Sequence, residues 1–161
     1  MTKTIRFRAL LLAGATWAVV QRRVTRYEIV DRSMQPTLEP GDYVLADTRI
    51  FRPERFSTIV YSDPSGIDLV KRVVGLPGEI VEIGNGEVFI DGTLLADPWA
   101  ESQTESSGTW VLGSDEVFTL GDARIRSAGD SRHTGGVALD RIRGRVIAIY
   151  WPLNRIGVIG R

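Results

Sequence analysis

Hydrophobic and polar residues along most of this chain alternate in short runs instead of recurring at helical spacing. From Tyr27 onward, runs rich in β-branched and aromatic residues are separated by clusters of Gly, Pro, Asn and Asp, a pattern typical of strands joined by turns. In chain order the runs are YEIV, DYVLAD, STIVYS, DLVKRVV, EIVEIG, EVFID, EVFTLG and GRVIAIYW. Short strands at this spacing predict a mainly-β domain that folds as a sandwich or barrel.

Two connections between these runs have an informative composition. Asn85-Gly86 stands between EIVEIG and EVFID, and this dipeptide is the preferred turn of a two-residue β-hairpin. Residues 96–109, ADPWAESQTESSGT, are mostly small and polar, which predicts a surface loop.

The N-terminal region differs in character from the rest of the chain. Ala9–Val20 is an uncharged, largely apolar run with basic residues on both sides. As a helix it would be about 18 Å long, whereas the hydrocarbon core of a membrane is about 30 Å thick, so a full span would need the flanking arginines to snorkel. We expect a short membrane-anchoring apolar helix within residues 1–26, followed by one folded domain over residues 27–161. A cleavable signal peptide and a peripheral or packed helix are the alternatives.

Composition narrows the possible partners of the folded domain. The chain has 161 residues, 43% hydrophobic and 25% charged, which suits one domain with a sizeable core. The 20 basic residues balance the 20 acidic ones, so the chain lacks the basic footprint of a nucleic-acid-binding protein. With no cysteine and one histidine, a structural zinc site is not expected.

Lysine usage points to a candidate for chemistry. Only Lys3 and Lys71 are lysines, and the other eighteen basic residues are arginines. In an extended segment Lys71 shares a face with Leu69 and Val73, and an ammonium in such an apolar setting can lose its proton and become a base. An arginine stays charged and cannot play this part.

Ser33 is the candidate nucleophile for such a base. It follows a predicted strand and precedes a turn at Pro36-Thr37, although a serine at that place is also common in turns without any catalytic part. A hydroxyl needs an adjacent base to attack a carbonyl, and a neutral lysine can serve where no histidine does. A triad built on His133 and Asp130 is the alternative, but a lone histidine in a glycine-flanked loop is more often a surface residue.

Several segments of the chain together resemble one family. SMQPTL, GDYVLAD, KRVVGLPGE and GDARIRSAGDSR are similar, in order and in type, to the conserved boxes of signal peptidase I, the bacterial leader peptidase. The tail GRVIAIYWPLNRIG resembles the end of compact members. The resemblance runs from about Tyr27 to Gly160 and implies a membrane-anchored serine endopeptidase with a signal-peptidase-like β-barrel or sandwich as its catalytic domain.

The resemblance also implies roles for individual residues. Ser33 would be the nucleophile, and its backbone N–H would be one oxyanion donor. Lys71 would be the general base. Ser127 would orient the lysine through a hydrogen bond.

Two ion pairs would brace this site. Asp122 and Asp130 match conserved acidic positions of the family, and Arg72 and Arg132 are their expected partners. The alternative for these residues is ordinary ion pairing at the surface.

The chain departs from the family pattern at three places. Asp31 stands two residues before the nucleophile, where many members have Ser or Gly that supplies a second oxyanion donor. We expect its side chain to point away from the oxyanion. Ala123 replaces the usual Asn of the GDNR box, and the spacing between Ser127 and Asp130 is one residue longer than usual.

The implied substrates are the signal peptides of exported preproteins, which would add as an extended strand to a sheet edge with pockets for small side chains. The reaction needs no metal and no organic cofactor. We expect a monomer in contact with membrane lipid, anchored in the bacterial cytoplasmic membrane with its catalytic domain on the extracytoplasmic side and binding no nucleic acid. A dedicated maturation protease of the same type and a non-catalytic membrane-tethered peptide-binding β domain are the alternatives.

Overall fold

The computed structural model describes residues 23–49, 52–104 and 106–160. The apolar run Ala9–Val20, predicted as a membrane-anchoring helix, lies outside these residues. Within them, no helix has both the length and the apolar character needed to cross a membrane.

Twelve strands account for most of the regular structure of the described chain. They are β1 (Val24–Glu28), β2 (Tyr43–Asp47), β3 (Thr58–Ser62), β4 (Asp68–Gly75), β5 (Ile80–Gly84), β6 (Glu87–Ile90), β7 (Thr93–Leu94), β8 (Gly108–Val111), β9 (Glu116–Leu120), β10 (Val137–Ala138), β11 (Ile142–Trp151) and β12 (Gly157–Val158). One short helix, α1 (Ser131–Thr134), and three single turns of 3-10 helix at Arg124–Arg126, Leu139–Arg141 and Leu153–Arg155 complete it. The predicted mainly-β class is confirmed.

The strands form two antiparallel sheets. The larger has eight strands in the order β1-β2-β11-β3-β4-β9-β10, with β12 paired to β11. The smaller has four strands in the order β7-β6-β5-β8. β4 belongs to the larger sheet and leads directly into β5 of the smaller one, so the two sheets are joined next to the segment that carries Lys71.

The core divides into three clusters of buried apolar side chains. One includes Met34 and Leu38, which lie just after the candidate nucleophile and pack with buried residues of β2, β3 and β11. A second fills the small sheet and extends to Phe118 and Leu120 of β9. The third includes Ile59 and Tyr61 of β3 and Val73 of β4, the strand that carries Lys71. The candidate site therefore lies among packed apolar groups.

The hairpin predicted at Asn85-Gly86 is confirmed. β5 and β6 pair from Val81↔Ile90 to Gly84↔Glu87, and the turn residues have φ of 53° for Asn85 and 84° for Gly86. Asn and Gly tolerate this left-handed region better than other residues do.

Local pattern misjudged two boundaries and missed three two-residue strands. β1 begins at Val24 and pairs with β2, so the first strand starts three residues before the predicted run YEIV. Gly108 and Thr109, predicted as the end of a surface loop, begin β8 and pair with β5. The two-residue strands β7, β10 and β12 escape prediction because so short a strand has no alternation to detect.

Candidate active site

Ser33 and Lys71 meet in the folded protein. The Lys71 Nζ donates a hydrogen bond of 2.8 Å to the Ser33 Oγ and a second one of 3.2 Å to the Val70 carbonyl. Both residues are buried, each with 3% of its surface exposed. The two side chains that the sequence singled out for chemistry are therefore in direct contact and nearly shielded from water.

The surroundings of Lys71 favour its neutral form. β4 is extended here and pairs Lys71 with Ile59 of β3, while Leu69 and Val73 flank it on the same face. Burial is the largest influence and lowers the pKa of Lys71 below its ordinary value, although the carboxylates of Asp130, Asp31 and Asp122 oppose this. Desolvation outweighs the attraction of the three carboxylates, so the amine deprotonates more readily than in water.

The backbone of Ser33 is held by the chain that follows β9. Its carbonyl accepts a 3.0 Å hydrogen bond from the Ala123 N–H, and the turn after it closes with Leu38 N–H donating to the Met34 carbonyl at 2.8 Å. Within the described residues, the Ser33 N–H donates to no acceptor. This donor is therefore available next to the hydroxyl.

Ser127 lies beside the pair but does not bond to the lysine as the sequence led us to expect. Its hydroxyl donates to Asp130 Oδ2 at 2.7 Å, and among the described residues no hydrogen bond joins it to Lys71. A carboxylate is a stronger acceptor than an amine that is itself a donor. Asp130 lies only three residues further along, and its carboxylate is within reach of the hydroxyl.

Gly121 explains how closely these groups are packed. A Cβ added at this position would lie 2.5 Å from the Ser127 Cβ and 2.5 Å from the Ser33 carbonyl oxygen. Any larger residue would push apart the segment of the nucleophile and the segment of Ser127. The requirement for glycine follows from contacts that only the tertiary structure creates.

The expected pair of Arg72 and Asp122 is present and fully buried. Arg72 Nε and Nη2 donate to the two carboxylate oxygens of Asp122, each at 2.7 Å, and both side chains are 0% exposed. Thr37 Oγ1 donates to Asp122 Oδ2 at 2.5 Å. Because Thr37 lies on the segment of Ser33, the pair braces that segment, and the alternative of surface ion pairing does not hold here.

The expected pair of Asp130 and Arg132 is present as well. Arg132 Nε donates to Asp130 Oδ1 at 2.8 Å, and its Nη2 donates to the carbonyls of Arg124 at 2.7 Å and Ser127 at 2.6 Å. Burial is the largest influence on Asp130 and raises its pKa, but the hydrogen bonds from Arg132 and Ser127 and the charge of Arg132 together bring the pKa below its ordinary value. Asp130 therefore stays ionised and fixes the turn that carries Ser127.

The departures from the family pattern are accommodated locally. Asp31 is exposed, and its carboxylate accepts a hydrogen bond from the Arg32 N–H at 2.7 Å. Ala123 is 1% exposed and acts through its backbone N–H, so the missing Asn side chain leaves no polar group unpaired there. His133 has a side chain that is 56% exposed, and the Ser33 hydroxyl contacts Lys71 instead, which removes the alternative of a histidine triad.

Three further residues contribute to the candidate site, although their residue types alone did not identify them. Thr37 stands within the SMQPTL box and Gly121 within GDARIR, so the boxes were the signal that could have identified them. Arg124 is 2% exposed; its Nε donates to the Gly121 carbonyl at 2.8 Å and its guanidinium pairs with Asp97. Asp97 comes from the predicted surface loop, where nothing in the sequence pointed to a buried partner.

The arrangement provides an amine next to a hydroxyl, with a free backbone N–H beside them. Among the described residues, no group of three or more His, Cys, Asp or Glu side chains is arranged to hold a metal ion. This set of groups suits the transfer of a proton from Ser33 to Lys71 and attack by Ser33 Oγ on a carbonyl carbon.

Comparison with known proteins covers nearly the whole chain. A family profile described as signal peptidase, peptidase S26, matches residues 2–151. The chain is 32% identical over 171 residues to a signal peptidase I of Leptolyngbya laminosa, covering 98% of this chain and 82% of that protein. It is 30% identical over 149 residues to a signal peptidase I of Bacillus caldolyticus, covering 81% of each.

A solved structure is similar in fold. The crystal structure of a signal peptidase I from Enterococcus faecalis V583 matches with a TM-score of 0.53 at 28% identity, covering 60% of this chain and 97% of that chain.

Proposed function

The chain belongs to the signal peptidase family, peptidase S26, and we propose that it is a serine endopeptidase that removes signal peptides from exported preproteins, with Ser33 as nucleophile and Lys71 as general base. The observation that carries this proposal is the buried contact of 2.8 Å between the Ser33 hydroxyl and the Lys71 amine. The substrate class is inferred from the relatives, which are signal peptidases I.

Lys71 acts first as the base. Once its amine is neutral, the Ser33 hydroxyl donates to Nζ and gives up its proton as Oγ attacks the carbonyl carbon of the scissile peptide bond. Burial supports this role because it lowers the pKa of Lys71, which raises the fraction of neutral amine near neutral pH. The product of the step is a tetrahedral intermediate bonded to Ser33 and a protonated Lys71.

The intermediate then collapses with the help of the same groups. The Ser33 N–H stabilises the negative oxygen, and the protonated Lys71 gives its proton to the leaving nitrogen as the peptide bond breaks. A water molecule next gives a proton to the neutral lysine as its oxygen attacks the acyl carbon. The bond between that carbon and Ser33 Oγ then breaks, Lys71 returns the proton to Oγ, and the second product leaves. The Asp31 side chain stands in place of a serine hydroxyl that could donate to this oxygen, so the backbone N–H carries more of this stabilisation than it would beside a serine.

The other buried polar groups have positioning roles in this proposal. The pair of Arg72 and Asp122 holds the Ser33 segment through Thr37, and the pair of Asp130 and Arg132 holds Ser127 against Gly121. Because all four charged side chains are nearly inaccessible to water, they remain fixed while the substrate exchanges.

We also propose that Ala9–Val20 anchors the protein in the bacterial cytoplasmic membrane, with the catalytic domain on the extracytoplasmic side. The apolar run between basic residues supports an anchor, and the first strand of the domain begins only at Val24. Retention of the full-length chain in membranes after a carbonate wash is the expected result. Its recovery in the soluble fraction would contradict the anchor.

Cleavage of preproteins by the purified full-length protein in detergent or lipid tests the activity. We expect release of the mature protein at a single site after small side chains, and no release by the Ser33→Ala variant. Several unrelated preproteins belong in the assay, because cleavage of only one would favour a dedicated maturation protease. A wild-type protein that binds preproteins but cleaves none would refute the proposed chemistry.

A further inference from the structure

Trp99 covers one face of the buried Arg72 guanidinium, whose hydrogen-bond donors all point outward in its own plane. The Arg72 carbon Cζ lies 4.2 Å from the centroid of the Trp99 ring. In its own plane the guanidinium donates to Asp122, to the Phe56 carbonyl at 2.8 Å and to Thr37 Oγ1 at 3.2 Å. Arg72 is 0% exposed while Trp99 is half-buried, so the indole stands between the guanidinium and the solvent.

The segment that carries Trp99 is tied to the candidate site at two further points. We call residues 97–104 the bracing segment. The Glu101 N–H donates to the Asp122 carbonyl at 2.9 Å, and Asp97 pairs with Arg124, whose Nη1 also donates to Thr104 Oγ1 at 3.3 Å. These contacts hold a segment of surface-loop composition in one position over Arg72.

Asp122 transmits these contacts to the nucleophile. Its carboxylate accepts hydrogen bonds from Arg72 and Thr37. The next residue, Ala123, donates its N–H to the Ser33 carbonyl. A guanidinium stacked on an aromatic face keeps a defined plane, and an Arg that bonds both carboxylate oxygens fixes the orientation of that carboxylate. Movement of Arg72 would therefore move both Thr37 and the backbone at Ser33.

We propose that Trp99 is a positioning residue of the catalytic site, acting through Arg72 and Asp122 on the segment of Ser33. This inference rests on the proposed peptidase function. The bracing segment would thus contribute to turnover although no hydrogen bond joins these described residues to the Ser33 and Lys71 side chains.

The test compares kcat, KM and melting temperature for the full-length wild type, Trp99→Leu and Trp99→Phe in detergent, with a preprotein as substrate. We expect kcat to fall about fivefold in Trp99→Leu with KM within about twofold, because the change affects the geometry of the nucleophile and not the sheet edge that is expected to bind the substrate. Trp99→Phe keeps an aromatic face over Arg72 and should retain at least about half of the wild-type kcat.

Trp110→Leu is the matched control. Trp110 lies in β8, with its ring 4.9 Å from that of Phe118, and it packs against the apolar cluster of the small sheet. This variant should lower the melting temperature while leaving kcat within about twofold of wild type. A fall in kcat equal to that of Trp99→Leu would assign the effect to general loosening and overturn the proposal.

A double-mutant cycle with Arg72→Lys tests the route of the effect, because lysine has no planar face to stack. Trp99→Leu should add no further loss of kcat in the Arg72→Lys background. Independent losses that multiply would show that Trp99 does not act through Arg72.

Nuclear magnetic resonance of the Arg72 Nε–H in the ¹⁵N-labelled full-length protein gives a readout that needs no activity. In the wild type the ring should shift this signal upfield and slow its hydrogen exchange, and Trp99→Leu should abolish the shift and speed exchange by at least about tenfold. An unchanged signal in Trp99→Leu would refute the contact. Wild-type protein without turnover would refute the proposed function, whereas normal kcat in Trp99→Leu beside an active wild type would refute this inference alone.

Discussion

The small sheet and the candidate site follow different physical rules. The small sheet uses strands between Ile80 and Val111, and its centre is apolar, with Val81, Ile83, Val88 and Ile90 packed together. The candidate site brings together Ser33, β4 and residues 121–132, and its centre is polar and charged. The first region is stabilised by burial that needs no specific partner, whereas the second depends on each polar group meeting its own.

That difference shows which buried charged group keeps an uncompensated desolvation cost, and this group is the proposed base. Arg72, Asp122 and Asp130 are buried and fully engaged in hydrogen bonds, so their desolvation is largely compensated. For Lys71 the desolvation cost of the charged form is not compensated, because burial lowers its pKa. An amine that is costly to keep charged is more often neutral, and only a neutral amine can accept a proton from a serine hydroxyl.

The largest effect is expected from Lys71→Arg. Arginine keeps the charge but cannot give up its proton, so turnover should fall by at least about a thousandfold while the fold survives. The wild-type rate should rise with pH through an apparent pKa below the ordinary lysine value of about 10.4, because the neutral amine is the active form. Turnover of an Ala-x-Ala peptide from pH 5 to 10, with circular dichroism of both proteins, checks this. Near-normal turnover in the arginine variant would reduce Lys71 to a buried cation.

The next largest effect is expected from Asp122→Ala. This change leaves Arg72 buried without its counter-charge and should lower the free energy of unfolding by about 3–5 kcal/mol. Asp47→Ala is the matched control, because its partner Arg49 is 63% exposed, and a surface pair contributes about 1 kcal/mol or less. Urea denaturation of both variants measures the difference. Equal losses of unfolding free energy would mean that the buried pair contributes no more to stability than the exposed pair does.

Lys71→Met should have an effect of the opposite sign. Since the folded pKa of Lys71 is lowered, the unfolded chain binds its proton more tightly, and wild-type stability is penalised below the folded pKa and recovers as pH rises to the unfolded value. The variant should therefore gain about 1–3 kcal/mol at low and neutral pH, and the gain should shrink toward pH 10. Melting temperatures at several pH values measure this. A variant less stable than wild type at neutral pH would contradict a costly buried amine.

The smallest effect is expected in the hairpin of the small sheet. Asn85→Ala places an alanine at a φ of 53° and should cost about 1 kcal/mol. Turnover should remain within about twofold of wild type, because among the described residues no hydrogen bond joins this turn to the Ser33 and Lys71 side chains. Thermal unfolding and the peptide assay together check this prediction. A large loss of turnover would show that the two regions are more strongly coupled than their contacts indicate.

Local sequence patterns predicted most of the larger sheet and the hairpin. Alternating β-branched residues mark β3, β4, β9 and β11, and Asn85-Gly86 marks its turn, because strand and turn preferences depend on neighbours in the chain. The choice of Ser33 and Lys71 also came from the chain, since the one lysine after residue 26 and four boxes in family order are visible without a fold.

Tertiary structure alone decided the partners around that pair. Thr37 and Asp122 are 85 positions apart, Ser127 bonds to Asp130 where a bond to Lys71 was expected, and Trp99 lies over Arg72 from a segment with the composition of a surface loop. Strand propensity is a property of consecutive residues and can be read from the chain. The partner of a buried charge is whichever complementary group the packed strands bring within about 3 Å, and no local pattern contains that distance.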